Sequence, residues 1–190
     1  MTANDFLRLA PTDAQVIARE IRRQKEARSR PLPGAKLIDR SSLLLKPQRE
    51  KLLNIIAGLV DENLFGRSEM CIQFADLLQR ALSHIGLPAR FVRGTAIYYR
   101  DNQEVFRWDH SWVRVGVEVI DGNTDSLAEN PLVPPTVSAP PYWGPVTEVP
   151  PERRLREGPG GTAPPDRDVA ELWWPDLLAW LRGEFGEGVA

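Results

Sequence analysis

The chain has 190 residues, enough for one domain with a hydrophobic core, and 24 basic and 26 acidic side chains give it a net charge of −2. A charge so nearly balanced provides no positive field, so neither nucleic acid nor an anionic membrane is expected as a partner. The single cysteine excludes an intrachain disulfide, and with only two histidines it falls short of a zinc site, so we expect no metal and no cofactor.

Targeting signals are also missing from the sequence pattern. Residues 1–10 lack the basic and apolar regions of a signal peptide, and no stretch approaches the roughly eighteen apolar residues of a membrane span. We therefore expect a cytoplasmic protein that does not enter a membrane.

Two helices are predicted before the cysteine. The first follows Pro11, carries a dense charged run, and is stopped by the prolines and glycine of residues 31–34. The second begins at Lys46 with a proline in its first turn and runs to Leu64. This second helix leads the chain to the loop before the cysteine, and we expect it to pack against the helix that follows.

A third helix is predicted to begin at Cys71 and to end at Gly86. Its apolar residues recur at helical spacing: Cys71, Phe74, Ala75, Leu78, Ala81, Leu82 and Ile85. A helix N-terminus and a nearby imidazolium are the two usual ways of stabilising a thiolate, which is the nucleophilic form of cysteine. The position therefore favours a reactive thiol, although a lone cysteine near an apolar face is most often a small buried hydrophobe.

The strands after Gly94 provide the partners that such a thiol needs. Residues 95–99 and 105–108 are predicted strands joined by a turn, and a hairpin over residues 108–126 follows. With Val115 and Gly116 at the centre of that turn, His110 faces Asp121, with Cβ atoms about 5 Å apart. The carboxylate would then hold the imidazole in one tautomer and orientation.

These residues form a candidate catalytic triad of Cys71, His110 and Asp121, in the roles of nucleophile, base and orienting group. His84 cannot serve as the base, because it lies about 20 Å along the cysteine helix by the rise per residue. Asp109 and Asp125 are the alternatives to Asp121. Asp109 is the poorer of the two, since neighbouring strand residues point to opposite faces.

The last third of the chain changes in character. Residues 130–165 carry most of the seventeen prolines, which predicts no helix and no central strand there. We divide the chain into a domain over residues 1–150 with its core in 46–126, a Pro/Gly-rich linker over 151–167, and a tryptophan-rich amphipathic helix over 168–190. We expect this helix to dock on the domain rather than on a partner or a membrane, because its acidic side chains would repel anionic lipid.

Three short motifs in this order resemble the transglutaminase-like branch of the papain-type cysteine enzymes. Residues 85–90, Ile-Gly-Leu-Pro-Ala-Arg, resemble the family's turn from the cysteine helix into a strand; residues 110–113, His-Ser-Trp-Val, resemble its His-x-Trp-Val segment; and residues 120–124 resemble its apolar-Asp-x-Thr segment. The resemblance covers residues 66–126. It implies an α+β fold, with helices packed on an antiparallel sheet and the nucleophile at a helix N-terminus.

The function that follows from these residues is a thiol-dependent hydrolase acting on a peptide or amide carbonyl through a thioester on Cys71. The substrate partner would be a protein or peptide. A transglutaminase or glutamine deamidase of the same fold is an alternative, because a triad does not specify which nucleophile attacks the thioester. A catalytically inactive domain that binds a partner through its tryptophan-rich tail is a second alternative.

Overall fold

Helices lie against one face of a six-stranded sheet, which makes this an α+β protein. The structure is a computed structural model and describes residues 11–63, 66–137 and 139–186. Residues 1–10, the predicted helix end at Leu64, and residues 187–190 of the predicted tail helix lie outside this range.

The helices begin close to the positions that the sequence predicts. Their bounds are α1 Pro11–Ala27, α2 Lys46–Val60, α3 Cys71–His84 and α4 Trp174–Phe185. Short 3-10 turns occur at Pro33–Lys36, Thr124–Glu129 and Val146–Glu148, and a π-helical turn at Val169–Trp173 leads into α4.

The sheet is mixed rather than purely antiparallel, which corrects the expectation from the sequence. Its strands are β1 Ile38–Asp39, β2 Ala89–Arg100, β3 Gln103–Val115, β4 Glu118–Asp121, β5 Tyr142–Pro145 and β6 Arg153–Glu157. They lie in the order β1-β5-β4-β3-β2-β6, and β1 runs parallel to β5 while the other pairs are antiparallel.

The turn between β3 and β4 lies one residue later than predicted. Val115 pairs with Glu118, so Gly116 and Val117 occupy the centre of the turn. Gly116 has φ of 56°, and a glycine with positive φ at the first central residue is what a two-residue type II′ hairpin requires. The predicted pairing of His110 with Asp121 is therefore wrong. If the observed register continued, Asp121 would lie opposite Trp112.

The proline-rich stretch contributes two strands, contrary to the sequence-based expectation. β5 lies inside the sheet between β1 and β4, and Tyr142 and Trp143 are fully buried. β6 falls within the predicted linker over 151–167 and pairs with β2. Both strands are compatible with the prolines, because prolines only flank β6 and fall on the last residue of β5.

The sheet separates two regions of buried side chains. Helices α2, α3 and α4 cover one face with a cluster that includes Phe91, Val113 and Ile120. The other face carries Val92, Trp112 and neighbouring aromatic side chains, covered in part by Leu127, Val133, Val137 and Ala139. Residues adjacent in β2 and β3 thus belong to opposite faces, as strand alternation requires.

The C-terminal helix docks on the domain, as predicted. Val169, Trp173, Leu177 and Leu181 belong to the same buried cluster as the apolar residues of α2 and α3. Asp166 opens this helical segment, since its side chain accepts a hydrogen bond from the Val169 amide at 3.0 Å and another from Gln73 of α3 at 2.9 Å. The apolar face of this helix, including Trp173, is therefore covered by the domain itself.

Candidate active site

Cys71 is the first residue of α3, as the sequence predicts, and its side chain is half-buried. Met70 occupies the N-cap position of α3 without a capping side chain. The first amides of a helix have no intrahelical acceptor and lie at the positive end of the helix dipole. The thiol therefore lies beside backbone donors that can stabilise a negative charge.

The loop before Cys71 is fixed to the loop after Asp121 by a buried arginine. Arg67 is 1% exposed; its guanidinium donates to Asp125 at 2.6 Å and to Asn123 at 3.1 Å. Asn123 in return donates its side-chain amide to the Arg67 carbonyl at 2.9 Å. These contacts hold together the two segments that carry the candidate nucleophile and the candidate orienting carboxylate.

His110 and Asp121 form a buried hydrogen bond. His110 Nε2 and Asp121 Oδ1 are 2.7 Å apart, and the two side chains are 2% and 1% exposed. The His110 ring also packs beside Trp112 on the same face of β3, with ring centroids 6.1 Å apart. Because an ionised carboxylate can only accept, Nε2–H is the donor and the ring's orientation is fixed.

Cys71 and His110 meet at one small cavity. It has a volume of about 80 Å³, and its walls include Cys71, Ile72, Trp108 and His110. His110 Nδ1 is buried and has no nitrogen or oxygen partner among the described residues, while the Cys71 side chain lies close enough to His110 to raise its pKa. Since Asp121 engages Nε2, Nδ1 is the nitrogen that remains for the thiol.

The charges around His110 favour its protonated form. Burial lowers the pKa of His110, but the charge and hydrogen bond of Asp121, together with the neighbouring Cys71, outweigh burial and raise it to about 10. For Asp121, burial acts to raise the pKa, but the positive charges of His110 and Arg153 outweigh burial and hold the pKa below its usual range. An imidazolium beside a thiol is the arrangement that stabilises a thiolate.

The other candidates from the sequence occupy different places. Asp125 binds Arg67, and Asp109 lines the cavity without a hydrogen bond to His110 in the described structure. His84 ends α3, where its ring lies edge-on to Trp174 at 6.4 Å between centroids. Of the two histidines, His110 is the one beside Cys71.

Two residues near the site were not identified from the sequence. Arg153 of β6 donates to Asp121 Oδ2 at 3.1 Å. The run Arg-Arg-Leu-Arg-Glu is mostly charged and gives no local signal that one of its arginines is buried. Glu69 lines the cavity beside Cys71 and accepts a hydrogen bond from Asn130; burial raises the pKa of Glu69 to about 7, although the Asn130 bond opposes this.

Over the part of the chain that the structure describes, no cluster of three or more histidine, cysteine, aspartate or glutamate side chains has the arrangement of a metal site. No helix in the same ranges combines the length and apolar character needed to cross a membrane. Comparison with protein-family models, curated proteins and solved structures gives no match.

Proposed function

We propose that this protein is a thiol-dependent hydrolase of the papain and transglutaminase-like type, which cleaves a peptide or amide bond through a thioester on Cys71. The observation that carries the proposal is the buried 2.7 Å contact between His110 and Asp121 at the wall of the cavity that also holds Cys71. Nucleophile, base and orienting carboxylate in contact are the parts that acyl transfer needs.

In the proposed reaction the Cys71 thiolate attacks the substrate carbonyl carbon and forms a tetrahedral oxyanion. The C–N bond then breaks, and His110 gives its proton to the departing amine, which leaves a thioester. Water attacks the thioester, His110 accepts a proton from it, and the carboxylic acid is released. Asp121 holds the imidazole through both steps and stabilises its cation.

The two ring nitrogens of His110 have separate tasks in this scheme. In the Ser-His-Asp template the carboxylate binds Nδ1 and the base works through Nε2. Here Asp121 binds Nε2, so Nδ1 would exchange the proton with the thiol and the leaving group. The backbone amide of Cys71 at the start of α3 is the natural donor to the oxyanion.

The first experiment measures thiol reactivity. Iodoacetamide should label Cys71 much faster than a free cysteine at neutral pH, and the label is unambiguous because the chain has one cysteine. His110→Ala should abolish the excess rate, while His84→Ala should retain it. An unreactive Cys71 would contradict the proposal.

The second experiment separates hydrolysis from acyl transfer. An activated ester such as p-nitrophenyl acetate is mixed with the protein, and mass spectrometry detects acetylated Cys71. The thioester is then allowed to react in the presence of increasing glycine ethyl ester, and free acetate and the amide are quantified. A hydrolase gives acetate as the main product, whereas a transglutaminase-like enzyme gives the amide.

A further inference from the structure

Arg153 reaches the candidate site from the outer strand of the sheet. It pairs with Tyr98 of β2, and its side chain is only 3% exposed. Its Nη1 donates to Asp121 Oδ2 and to Thr124 Oγ1, both at 3.1 Å. An arginine is almost never this buried unless it is paired, so Asp121 is the charge that accounts for its position.

The two oxygens of Asp121 are divided between two cations. Oδ1 accepts from His110 and Oδ2 accepts from Arg153. Rotation of the carboxylate would break both bonds, and Thr124 in turn fixes the guanidinium. The bond from Arg153 to Oδ2 therefore leaves Oδ1 as the oxygen that contacts His110, and it fixes the direction of that contact.

In the group formed by Cys71, His110, Asp121 and Arg153, positive and negative charges balance only when Arg153 is included. Four titratable or charged groups act on Asp121 or its direct partners: His110 from β3, Arg153 from β6, Tyr98 from β2 and Cys71 from α3. Glu69, Arg93 and Asp109 line the cavity around Cys71 and His110. With the thiol ionised, Asp121 and Cys71 contribute two negative charges, and His110 and Arg153 contribute two positive ones. Without the guanidinium, Asp121, His110 and an ionised Cys71 would together carry a net negative charge, which the buried surroundings of Asp121 and His110 disfavour.

We propose that Arg153 is a positioning residue of the candidate active site, which fixes the Asp121 carboxylate and compensates the charge that appears when Cys71 ionises. The inference rests on the proposed function of Cys71. Its consequence is that β6, at the far edge of the sheet from β1, contributes to the reactivity of a thiol on a helix.

The test compares neutral and charged replacements of Arg153. Arg153→Met and Arg153→Gln remove the charge, Arg153→Lys keeps it, and Arg156→Met on the same strand is the control for losing an exposed cation. The readouts are the pH profile of Cys71 alkylation and the NMR titration of His110 in histidine-labelled protein. His84, the second of the two histidines, is the internal reference.

The neutral variants should slow alkylation about tenfold or more at pH 7 and move both the alkylation profile and the His110 titration to higher pH. Arg153→Lys should keep the wild-type pH dependence at a lower maximal rate, because one ammonium cannot bond Asp121 and Thr124 as the guanidinium does. A folded neutral variant with both wild-type curves would overturn the inference. If neither neutral variant folds, the result for Arg153→Lys is decisive. Alkylation of Cys71 at the wild-type rate in this variant would overturn the inference.

Failure of the proposed function gives a different result. If wild-type Cys71 reacts no faster than free cysteine, the hydrolase proposal fails. The His110 titration still reports, without any turnover, whether Arg153 acts on His110 through Asp121.

Discussion

Asp121 Oδ1 lies 2.7 Å from His110 Nε2 although the two residues are not opposite each other in the hairpin. The observed pairing of Val113 with Ile120 places Asp121 diagonal to His110 on the same face of the sheet. A diagonal pair is within reach of a carboxylate and an imidazole. The contact therefore depends on which face the side chains share more than on direct opposition.

Asp121→Asn is expected to lower turnover on the order of a thousandfold or more, because the amide cannot hold the imidazolium and permits the wrong tautomer. The measurement is kcat/KM on a peptide or ester substrate, with the melting temperature recorded to show that the variant is folded. Asp125→Asn is the matched control. This variant removes the charge partner of buried Arg67, so its main effect should be a lower melting temperature rather than a lower kcat/KM.

Asp109→Asn should have little effect on either quantity, since Asp109 has no hydrogen bond to His110 in the described structure. If Asp125→Asn reduced kcat/KM more than Asp121→Asn in folded protein, Asp121 would not be the orienting carboxylate.

The contact between His110 and Asp121 was predictable from sequence despite an incorrect turn. Moving the turn centre from Val115–Gly116 to Gly116–Val117 shifts each partner by two residues, which leaves every side chain on its predicted face. A shift of partner by one residue would have reversed the faces. Helix periodicity likewise placed Cys71 at the start of α3, since that pattern is local.

The contribution of Arg153 could not be predicted in this way. Its position depends on β6 joining the far side of β2, a pairing over more than fifty residues that no local pattern encodes. Strand β5 could not be predicted either, because its buried residues Tyr142 and Trp143 lie between prolines, which are typical of loops. A high proline content argues against strands at the prolines themselves, but it does not identify which short segments between the prolines form strands of the sheet.

Cys71→Ala and His110→Ala should each abolish turnover, and the double variant should be about as inactive as either single one. Residues that act as one unit do not give additive losses. The measurement is kcat for the three variants, with His84→Ala as a control that should retain wild-type activity. Independent, multiplicative losses would show that the two side chains do not share a mechanism.

Stability should fall at alkaline pH because of His110. Its pKa is raised to about 10 in the folded protein, mainly by Asp121 and against burial, whereas an unfolded histidine titrates near 6.5. Protonated His110 thus contributes stability that is full below about pH 6.5 and is lost as pH rises towards 10. Urea unfolding of wild type and His110→Gln between pH 6 and 10 measures this, and the wild type should show the steeper decline. Parallel curves would contradict the raised pKa.

Glu69→Gln should produce a stability difference in another window. Burial raises the pKa of Glu69 to about 7, so between about pH 4.5 and 7 this carboxyl is protonated in the folded protein but ionised in the unfolded chain. The folded state binds the extra proton between these values, and wild-type stability should decrease there as pH rises. The variant should melt at the wild-type temperature at pH 4 and several degrees higher above pH 7. Glu152→Gln, at an exposed carboxyl, is the control and should show no such divergence.

The docked C-terminal helix should account for a large share of the domain's stability. Leu177 is fully buried in the cluster shared with α2 and α3, whereas Leu172, at the start of the same helical segment, is 58% exposed. Leu177→Ala should cost about 2–5 kcal/mol through lost burial and the cavity left behind, which in a chain of this size lowers the melting temperature by roughly 10 °C.

Leu172→Ala removes the same atoms from an exposed position and should change the melting temperature by only about 1–2 °C. Truncation after Arg167 removes the whole segment and uncovers the apolar surface of α3, so the shortened protein should melt much lower or aggregate. A truncated protein that stays monomeric, melts like the full chain and retains Cys71 reactivity would show that this helix is a separate recognition element. Equal effects of the two leucine variants would show that the helix does not rest on the core through Leu177.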